Sequence, residues 1–296
     1  MTPLRIVDSP DLREPVMIAA FTGWSDAGAA ASAAAAYLAD RWRTPLLAEI
    51  DPEEFYDFTA LRPTVRWVGE VRELEWPENK FYYHRLPEKD LIVLVGVEPH
   101  LKWKTYLGCI MEVLERFKVS TVITLGAMFV DFPHTRPVRI TGTAPTDEMA
   151  ARAGIVNRAR TGRYQGPTGI SGVLTTELRA RNIPVGSLWA NVPHYVSATP
   201  NPTASLALLQ ALGAMLEVQI PLGRMIRASA AFRTQLEEAT SKNAEVSEYV
   251  RALEERLDAI EAQAESENEA APELPPAESI LQDVEEFFRR GRDQRP

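Results

Sequence analysis

A six-residue apolar run near the start of the chain constrains the fold most strongly. Residues 16–21, Val-Met-Ile-Ala-Ala-Phe, contain no polar side chain, which is typical of a strand buried on both faces. A turn with two glycines follows at residues 23–28. The alanine-rich segment 27–40 then predicts a helix that can pack closely on a sheet. This strand–turn–helix order indicates an α/β fold.

The same alternation continues to about residue 230. Two strands, 66–71 and 81–86, are expected to add antiparallel to the sheet, separated by the turn at residues 76–79. A strand–helix–strand unit implies parallel strands with a right-handed crossover. We therefore predict an α/β sandwich with a mostly parallel sheet over residues 1–230. Its other strands are predicted at 46–50, 91–95, 121–125 and 185–192, and its other helices at 102–117, 170–181 and 204–216.

Residues 231–264 carry a different, heptad-like pattern. Apolar or small residues recur at alternating steps of four and three from Phe232 to Ala264, and only Asn243 on this seam is polar. One interpretation is a continuous coiled-coil helix of about 50 Å, in which Asn243 sets register or partner number. The other is two helices packed on the parent domain and broken near Thr240-Ser241.

The last segments predict a linker and a terminal helix. Residues 265–276 contain Ala-Ala-Pro-Glu-Leu-Pro-Pro, which is typical of a flexible linker. Residues 277–296 are predicted to form an amphipathic C-terminal helix, which we expect to dock on its own domain or on a partner.

Charge and composition exclude several classes of function. The net charge is −9; residues 231–296 carry 17 Asp and Glu against 8 Lys and Arg, and residues 1–230 carry 24 of each. Phosphate-backbone binding needs clustered Lys and Arg, so we expect no nucleic-acid partner. No stretch approaches about 18 consecutive apolar residues, so we expect no membrane span, and we see no signal peptide. The single cysteine, Cys109, excludes an internal disulfide and favours a cytoplasmic protein.

The candidate site follows from the predicted topology. In open α/β sheets, ligands bind beyond the carboxyl ends of the parallel strands. Four predicted strand-end loops carry unusual polar or aromatic residues, and a glycine-rich segment, 166–172, lies just ahead of a helix. The candidate residues of a ligand or partner cleft are Trp24, Asp26, Glu98, Asp131, His134, Arg136, Gly166, Gly169 and His194.

Each candidate also has a structural interpretation. The glycine-rich segment can present backbone N–H groups to an anion, or it can be a tight turn. His134 and Arg136 can hold an anion, or they can bind backbone carbonyls at a contact. Asp26 is best interpreted as the N-cap of the alanine-rich helix.

Catalytic and metal motifs are incomplete. A nucleophile elbow needs Gly-x-Ser-x-Gly, and around Ser25 the second glycine comes one residue late. The histidines His84, His100, His134 and His194 show no i, i+4 pair and no His-Glu-x-x-His run. We therefore predict no catalytic residue, no metal and no cofactor.

Five motifs in order carry a resemblance to a known family. They are residues 23–28 after the buried strand; Val95-Gly96-Val97-Glu98-Pro99 with Trp103; Leu125-Gly126-Ala127 followed by residues 131–137; residues 164–170; and residues 187–195. Together they resemble the proteasome assembly chaperone 2 family, and more closely its bacterial, actinobacterial branch. The resemblance covers about residues 10–220.

This resemblance implies a three-layer α/β/α fold, similar to nucleoside phosphorylases and related hydrolases, with the helical extension added at its C-terminal end. It also implies a self-associating protein, for which a trimer is one option. Eukaryotic relatives help to assemble the proteasome α-ring, and archaeal relatives bind the proteasome end through C-terminal tails ending in hydrophobic–Tyr–any residue. The sequence here ends in Asp293-Gln294-Arg295-Pro296, so docking by that route is not expected.

Two functions follow as hypotheses. The first is a non-enzymatic, oligomeric assembly or interaction protein, with a protein partner of proteasome-related type. The alternative is an enzyme or small-molecule binder that acts on a phosphate ester or nucleoside-type ligand in the strand-end cleft. His134 and Arg136 would then contact the anion, and Asp26 or Glu98 would be the acid or base.

Overall fold

The computed structural model describes residues 3–87, 89–155, 165–196 and 198–269. Its strands are β1 (Leu4–Ile6), β2 (Val16–Thr22), β3 (Leu46–Ile50), β4 (Thr64–Val68), β5 (Val71–Glu75), β6 (Asn79–Arg85), β7 (Asp90–Val97), β8 (Thr121–Val130), β9 (Ile140–Thr143) and β10 (Val185–Pro193). Its helices are α1 (Ala30–Arg41), α2 (Trp103–Arg116), α3 (Asp147–Arg152), α4 (Ile170–Ala180), α5 (Pro202–Leu216), α6 (Gly223–Ser241) and α7 (Ala244–Glu269).

Eight of the strands form one mixed sheet in the order β1-β3-β6-β7-β2-β8-β10-β9. The four neighbours β7, β2, β8 and β10 run parallel to one another. Strands β6 and β9 add antiparallel on the two sides of this group, and β3 and β1 extend the sheet beyond β6. The predicted parallel strands are confirmed at the centre of the sheet, and the antiparallel strands on both sides make the sheet as a whole mixed.

The chain covers both faces of the sheet with helices. Along β2, Val16, Ile18 and Ala20 pack in one core with the apolar sides of α1 and α5. The alternate residues Met17, Ala19 and Phe21 pack in a second core with α2 and α4. This alternation explains why the run has no polar residue, and it confirms the three-layer α/β/α architecture.

The predicted strand at residues 66–71 is wrong. The chain turns at Gly69-Glu70 and forms two strands, β4 and β5, which pair with each other in a separate two-stranded sheet. Residues typical of strands lie on both sides of the turn, Trp67 and Val68 before it and Val71 after it, so the pattern resembles one strand. The other predicted antiparallel strand corresponds to β6. The short elements β1, β9 and α3 were not predicted.

The heptad-like region contains two helices. Helix α6 ends at Ser241 and α7 begins at Ala244, so the single continuous helix is wrong and the break falls close to Thr240-Ser241. Helix α7 continues to Glu269, so the first residues of the predicted linker are helical. The rest of the linker and the predicted helix at 277–296 lie outside the described residues.

The chain divides into two compact units, with the boundary inside α7, between Val250 and Arg251. The sheet and all the elements from β1 to α6 belong to the first unit. Among the residues that the structure describes, no helix has both the length and the apolar character that crossing a membrane requires.

Candidate functional site

The parallel strands bring the predicted loops to one edge of the sheet. Because β7, β2, β8 and β10 are parallel neighbours, their carboxyl ends point the same way. The segments after β2, β7, β8 and β10 carry Trp24, Glu98, Asp131 and His194, respectively. Within this edge the contacts fall into two groups.

The first group centres on the carboxylate of Glu98. Its Oε1 accepts a hydrogen bond from the Ile170 N–H at 2.7 Å, and its Oε2 accepts one from the Trp24 N–H at 3.1 Å. Ile170 is the first residue of α4, so the carboxylate lies at the positive end of the helix dipole. Glu98 thus ties the segments after β2 and β7 to the start of α4.

Two glycines make this contact possible. Gly23 has a φ of +141°, and a Cβ there would lie 2.8 Å from the Cβ of Glu98. A Cβ on Gly169 would lie 2.7 Å from Glu98 Oε1 and 2.8 Å from Ser25 Oγ. Gly166 is exposed. Of the two interpretations of this glycine-rich segment, the anion site would need the N–H of Ile170, and that group already donates to the protein's own carboxylate.

Asp26 is a buried helix cap. Its Oδ1 accepts hydrogen bonds from the N–H groups of Ala31 at 2.8 Å and Ser32 at 3.2 Å, in the first turn of α1. The Ser32 hydroxyl donates to Oδ2. Burial raises the pKa of Asp26, and the hydrogen bonds from Ser32 and Ala31 oppose that rise. The N-cap position of α1 belongs to Ala29, not to Asp26 as predicted, but the Asp26 side chain accepts from N–H groups of the first turn, and both of its carboxylate oxygens are engaged.

The second group lies beyond the ends of β8 and β10. Asp131 Oδ1 is 3.0 Å from His194 Nδ1, and the Tyr195 hydroxyl lies 2.8 Å from both the backbone nitrogen and Nδ1 of His134. The ring of Tyr249 packs edge-on against His194 and Tyr195, with centroids 5.7 and 5.9 Å away. We did not predict Tyr249, which lies off the heptad seam of α7.

His134 and Arg136 line a very small cavity. Its volume is about 20 Å³, and its walls include Asn201 and Phe232. A cavity of this size holds about one water molecule. It is far below the hundreds of Å³ typical of a ligand pocket. In the described part of the chain, no group of three or more His, Cys, Asp or Glu side chains could hold a metal ion.

Apolar side chains are exposed at the same edge of the sheet. Trp24 is 63% exposed, Phe129 54% and Met128 40%. Met128 and Phe129 are consecutive in β8 and so point to opposite faces of the sheet. The end of β8 therefore presents apolar surface on both sides.

Comparisons with known proteins identify the family. The PAC2 family profile matches residues 20–240, so the chain belongs to the PAC2 family. A PAC2 family protein from Streptomyces avermitilis is 40% identical, with a TM-score of 0.70 over 80% of this chain and 99% of that one. A proteasome-assembly chaperone homologue from Mycobacterium tuberculosis is 39% identical, with a TM-score of 0.69 over 79% of this chain and 99% of that one.

A more distant structure shares only the fold. PbaB from Pyrococcus furiosus, described as an archaeal proteasome activator, is 18% identical, with a TM-score of 0.63 over 80% of this chain and 97% of that one. A comparison with curated proteins finds no match.

Proposed function

We propose that this chain is a non-enzymatic assembly or interaction protein of the proteasome assembly chaperone type. It acts as a homo-oligomer in the cytosol and binds a protein partner of proteasome-related type. Its PAC2 family membership and its similarity to a proteasome-assembly chaperone homologue support this class of function. The lone, buried Cys109 fits a reducing compartment.

The observation that carries the proposal is the double hydrogen bond to Glu98. In the alternative function Glu98 is one of the two candidates for the acid or base, but both of its oxygens accept bonds from backbone N–H groups. Asp26, the other candidate acid or base, caps α1. The edge offers a partner the exposed side chains of Trp24, Met128 and Phe129 instead. Aromatic residues and Met are enriched at the interfaces between proteins.

The geometry favours this function over an anionic small-molecule site. A nucleotide or phosphate ester held by His134 and Arg136 would have to enter a cavity of about 20 Å³, because neither residue lines the cavity of about 870 Å³ beside Met128 and Asn191. It would also have to displace Glu98 from the start of α4. Neither requirement applies to a protein that covers the exposed edge.

The proposal is tested with purified proteasome α and β subunits of the source organism. We expect the full chain to co-elute with at least one subunit, and Phe129→Asp to weaken this binding at least tenfold. Ile226→Asp is the matched control because Ile226 is 50% exposed on α6, and it should bind as the wild type does. The proposal would be overturned if the wild type bound no subunit, or if Phe129→Asp and Ile226→Asp bound equally well.

A further inference from the structure

The two-stranded sheet of β4 and β5 is an exposed apolar hairpin. All ten of its strand residues are exposed, and Trp67 is 69% exposed. An isolated two-stranded hairpin is marginally stable in water and gains stability by packing against another surface. The large apolar side chains that the hairpin exposes are Val65, Trp67, Val68, Val71 and Leu74.

The register separates the two faces of this hairpin. Val65 pairs with Leu74, and Trp67 pairs with Arg72, so these four side chains share one face, which we call the Trp67 face. It combines three apolar side chains with one cation. The opposite face holds the ion pair between Arg66 and Glu75, with 2.7 Å between Nε and Oε2.

A groove of complementary character lies next to the base of the hairpin. Its volume is about 350 Å³. Four carboxylates and one ammonium group line it, together with apolar and aromatic side chains. Glu49 is paired with Arg5 and Glu78 with Lys80, so Asp51 and Glu53 carry the net negative charge of the groove. We call it the acidic groove; its residues are Glu49, Ile50, Asp51, Pro52, Glu53, Trp76, Pro77, Glu78, Asn79 and Lys80.

We infer that the Trp67 face of one copy of this chain docks in the acidic groove of a second copy. The apolar lining suits the indole of Trp67, and the carboxylates attract the guanidinium of Arg72. Trp and Arg are also the residue types that most often dominate binding energy at interfaces. In its own chain Trp67 remains 69% exposed, so it leaves its surface available to another copy.

Both partners of this contact belong to the same chain. Each copy therefore offers one hairpin and one groove. The rotation between neighbouring copies determines whether these contacts form a reciprocal dimer or a closed ring. The inference rests on the self-association that is part of the proposed function, and it assigns a surface to it. It does not involve Phe129, on which the partner-binding experiment depends.

Sedimentation velocity of the full chain over a concentration series tests this contact. We expect the wild type to self-associate, and Trp67→Ala and Arg72→Glu each to weaken association about tenfold or more. Ile226→Ala should associate as the wild type does. Far-UV circular dichroism should be unchanged in all of them because these side chains are exposed.

A charge exchange makes the test specific. Glu53→Arg alone should also weaken association, and the double variant Arg72→Glu with Glu53→Arg should recover most of it. Ile260→Asp tests the competing surface, because Ile260 is exposed on the heptad seam of α7. A monomeric wild type, normal association of the Trp67 and Arg72 variants, or loss of association only with Ile260→Asp would each overturn the inference. If the hairpin variants associate normally while Phe129→Asp still loses the proteasome subunit, only this inference fails.

Discussion

Glu98 Oε1 accepts a hydrogen bond from the backbone N–H of Ile170 at a distance of 2.7 Å. The contact joins the segment after β7 to the first residue of α4, 72 positions later in the sequence. A helix N-terminus with free N–H groups is a ready anion site. In this protein the side chain of Glu98 already occupies that position. The helix N-terminus therefore forms an internal hydrogen bond where other proteins often bind phosphate.

Removing this carboxylate should create a response to anions. We expect Glu98→Ala to lower the free energy of unfolding by about 1–3 kcal/mol, because hydrogen bonds to a charged group are lost. Inorganic phosphate at low ionic strength should then raise the Tm of Glu98→Ala. At a phosphate concentration of 100 times the Kd, the gain in the free energy of unfolding is about 2.7 kcal/mol. The wild type should not respond.

Glu115→Ala is the control for Glu98→Ala. Glu115 forms an exposed ion pair with Arg181 on the surface, 3.4 Å between Oε1 and Nη1, so its removal should change neither Tm nor the phosphate response appreciably. Equal stabilisation of the wild type by phosphate in differential scanning fluorimetry would show that Glu98 does not block the anion position.

Substitution of Asp26 should separate its capping role from its charge. Asp26→Ala removes the acceptor of two N–H groups and should cost about 1–2 kcal/mol of stability at pH 7. Asp26→Asn keeps an acceptor oxygen and removes the buried charge, so it should cost clearly less. Urea unfolding of the three proteins measures both differences.

The pH dependence of the same variants follows from the direction of the pKa shift. Burial raises the folded-state pKa of Asp26 above its ordinary value of 3.8. The folded state therefore binds a proton more readily than the unfolded state, and ionisation of Asp26 costs stability above the raised pKa. As the pH falls through the raised pKa toward 3.8, the wild type should gain stability relative to Asp26→Asn. A relative loss over that interval would contradict the shift.

Local patterns made Asp26 and the central strands predictable. Asp26 lies within six residues of the N–H groups that donate to it, and a strand buried on both faces has a continuous apolar sequence. The contact of Glu98 with Ile170 gave no such signal, because it depends on how two distant loops meet. Tyr249 was missed for the same reason: it contacts His194 and Tyr195 from a helix that begins 50 residues later.

The hairpin of β4 and β5 shows another limit of pattern analysis. A pattern of apolar residues normally indicates the face of a strand that packs on the core. In this hairpin the apolar residues are exposed, so their positions did not indicate such a face. In the sequence, Gly69 was the one local signal that the strand ended. The structure gives Gly69 a φ of +63°, a conformation that glycine adopts easily. Strand β1 has three residues, too few for any periodicity to appear.

Cys109 should be an unreactive thiol in the folded protein. It is 5% exposed on α2, and burial raises its pKa to about 11, so almost no thiolate forms at pH 8. We expect Ellman's reagent to react at least a hundredfold more slowly with the native chain than with the chain in 6 M guanidinium chloride. Similar rates in the two conditions would mean that the thiol is accessible.

The buried amide of Asn79 should contribute more to stability than either tyrosine bonded to it. Asn79 Oδ1 accepts bonds from the Tyr106 hydroxyl at 2.7 Å and the Val97 N–H at 2.9 Å, and its Nδ2 donates to Tyr56 at 2.8 Å. Asn79→Ala leaves several buried groups without this partner, and we expect a loss of roughly 3 kcal/mol or more. Tyr106→Phe removes one donor while Oδ1 keeps the Val97 bond, so it should cost about 1 kcal/mol.

Tyr83→Phe is the matched control for this network. The Tyr83 hydroxyl donates to the exposed carboxylate of Asp8 at 2.7 Å, so water can replace the bond and the loss should be within about 0.5 kcal/mol. Urea unfolding of the four proteins gives the comparison. Because the side chain of Asn79 is the shared partner, the order Asn79→Ala, Tyr106→Phe, Tyr83→Phe from largest to smallest loss is the decisive result. Equal losses for Asn79→Ala and Tyr106→Phe would show that the amide has no other buried group to satisfy.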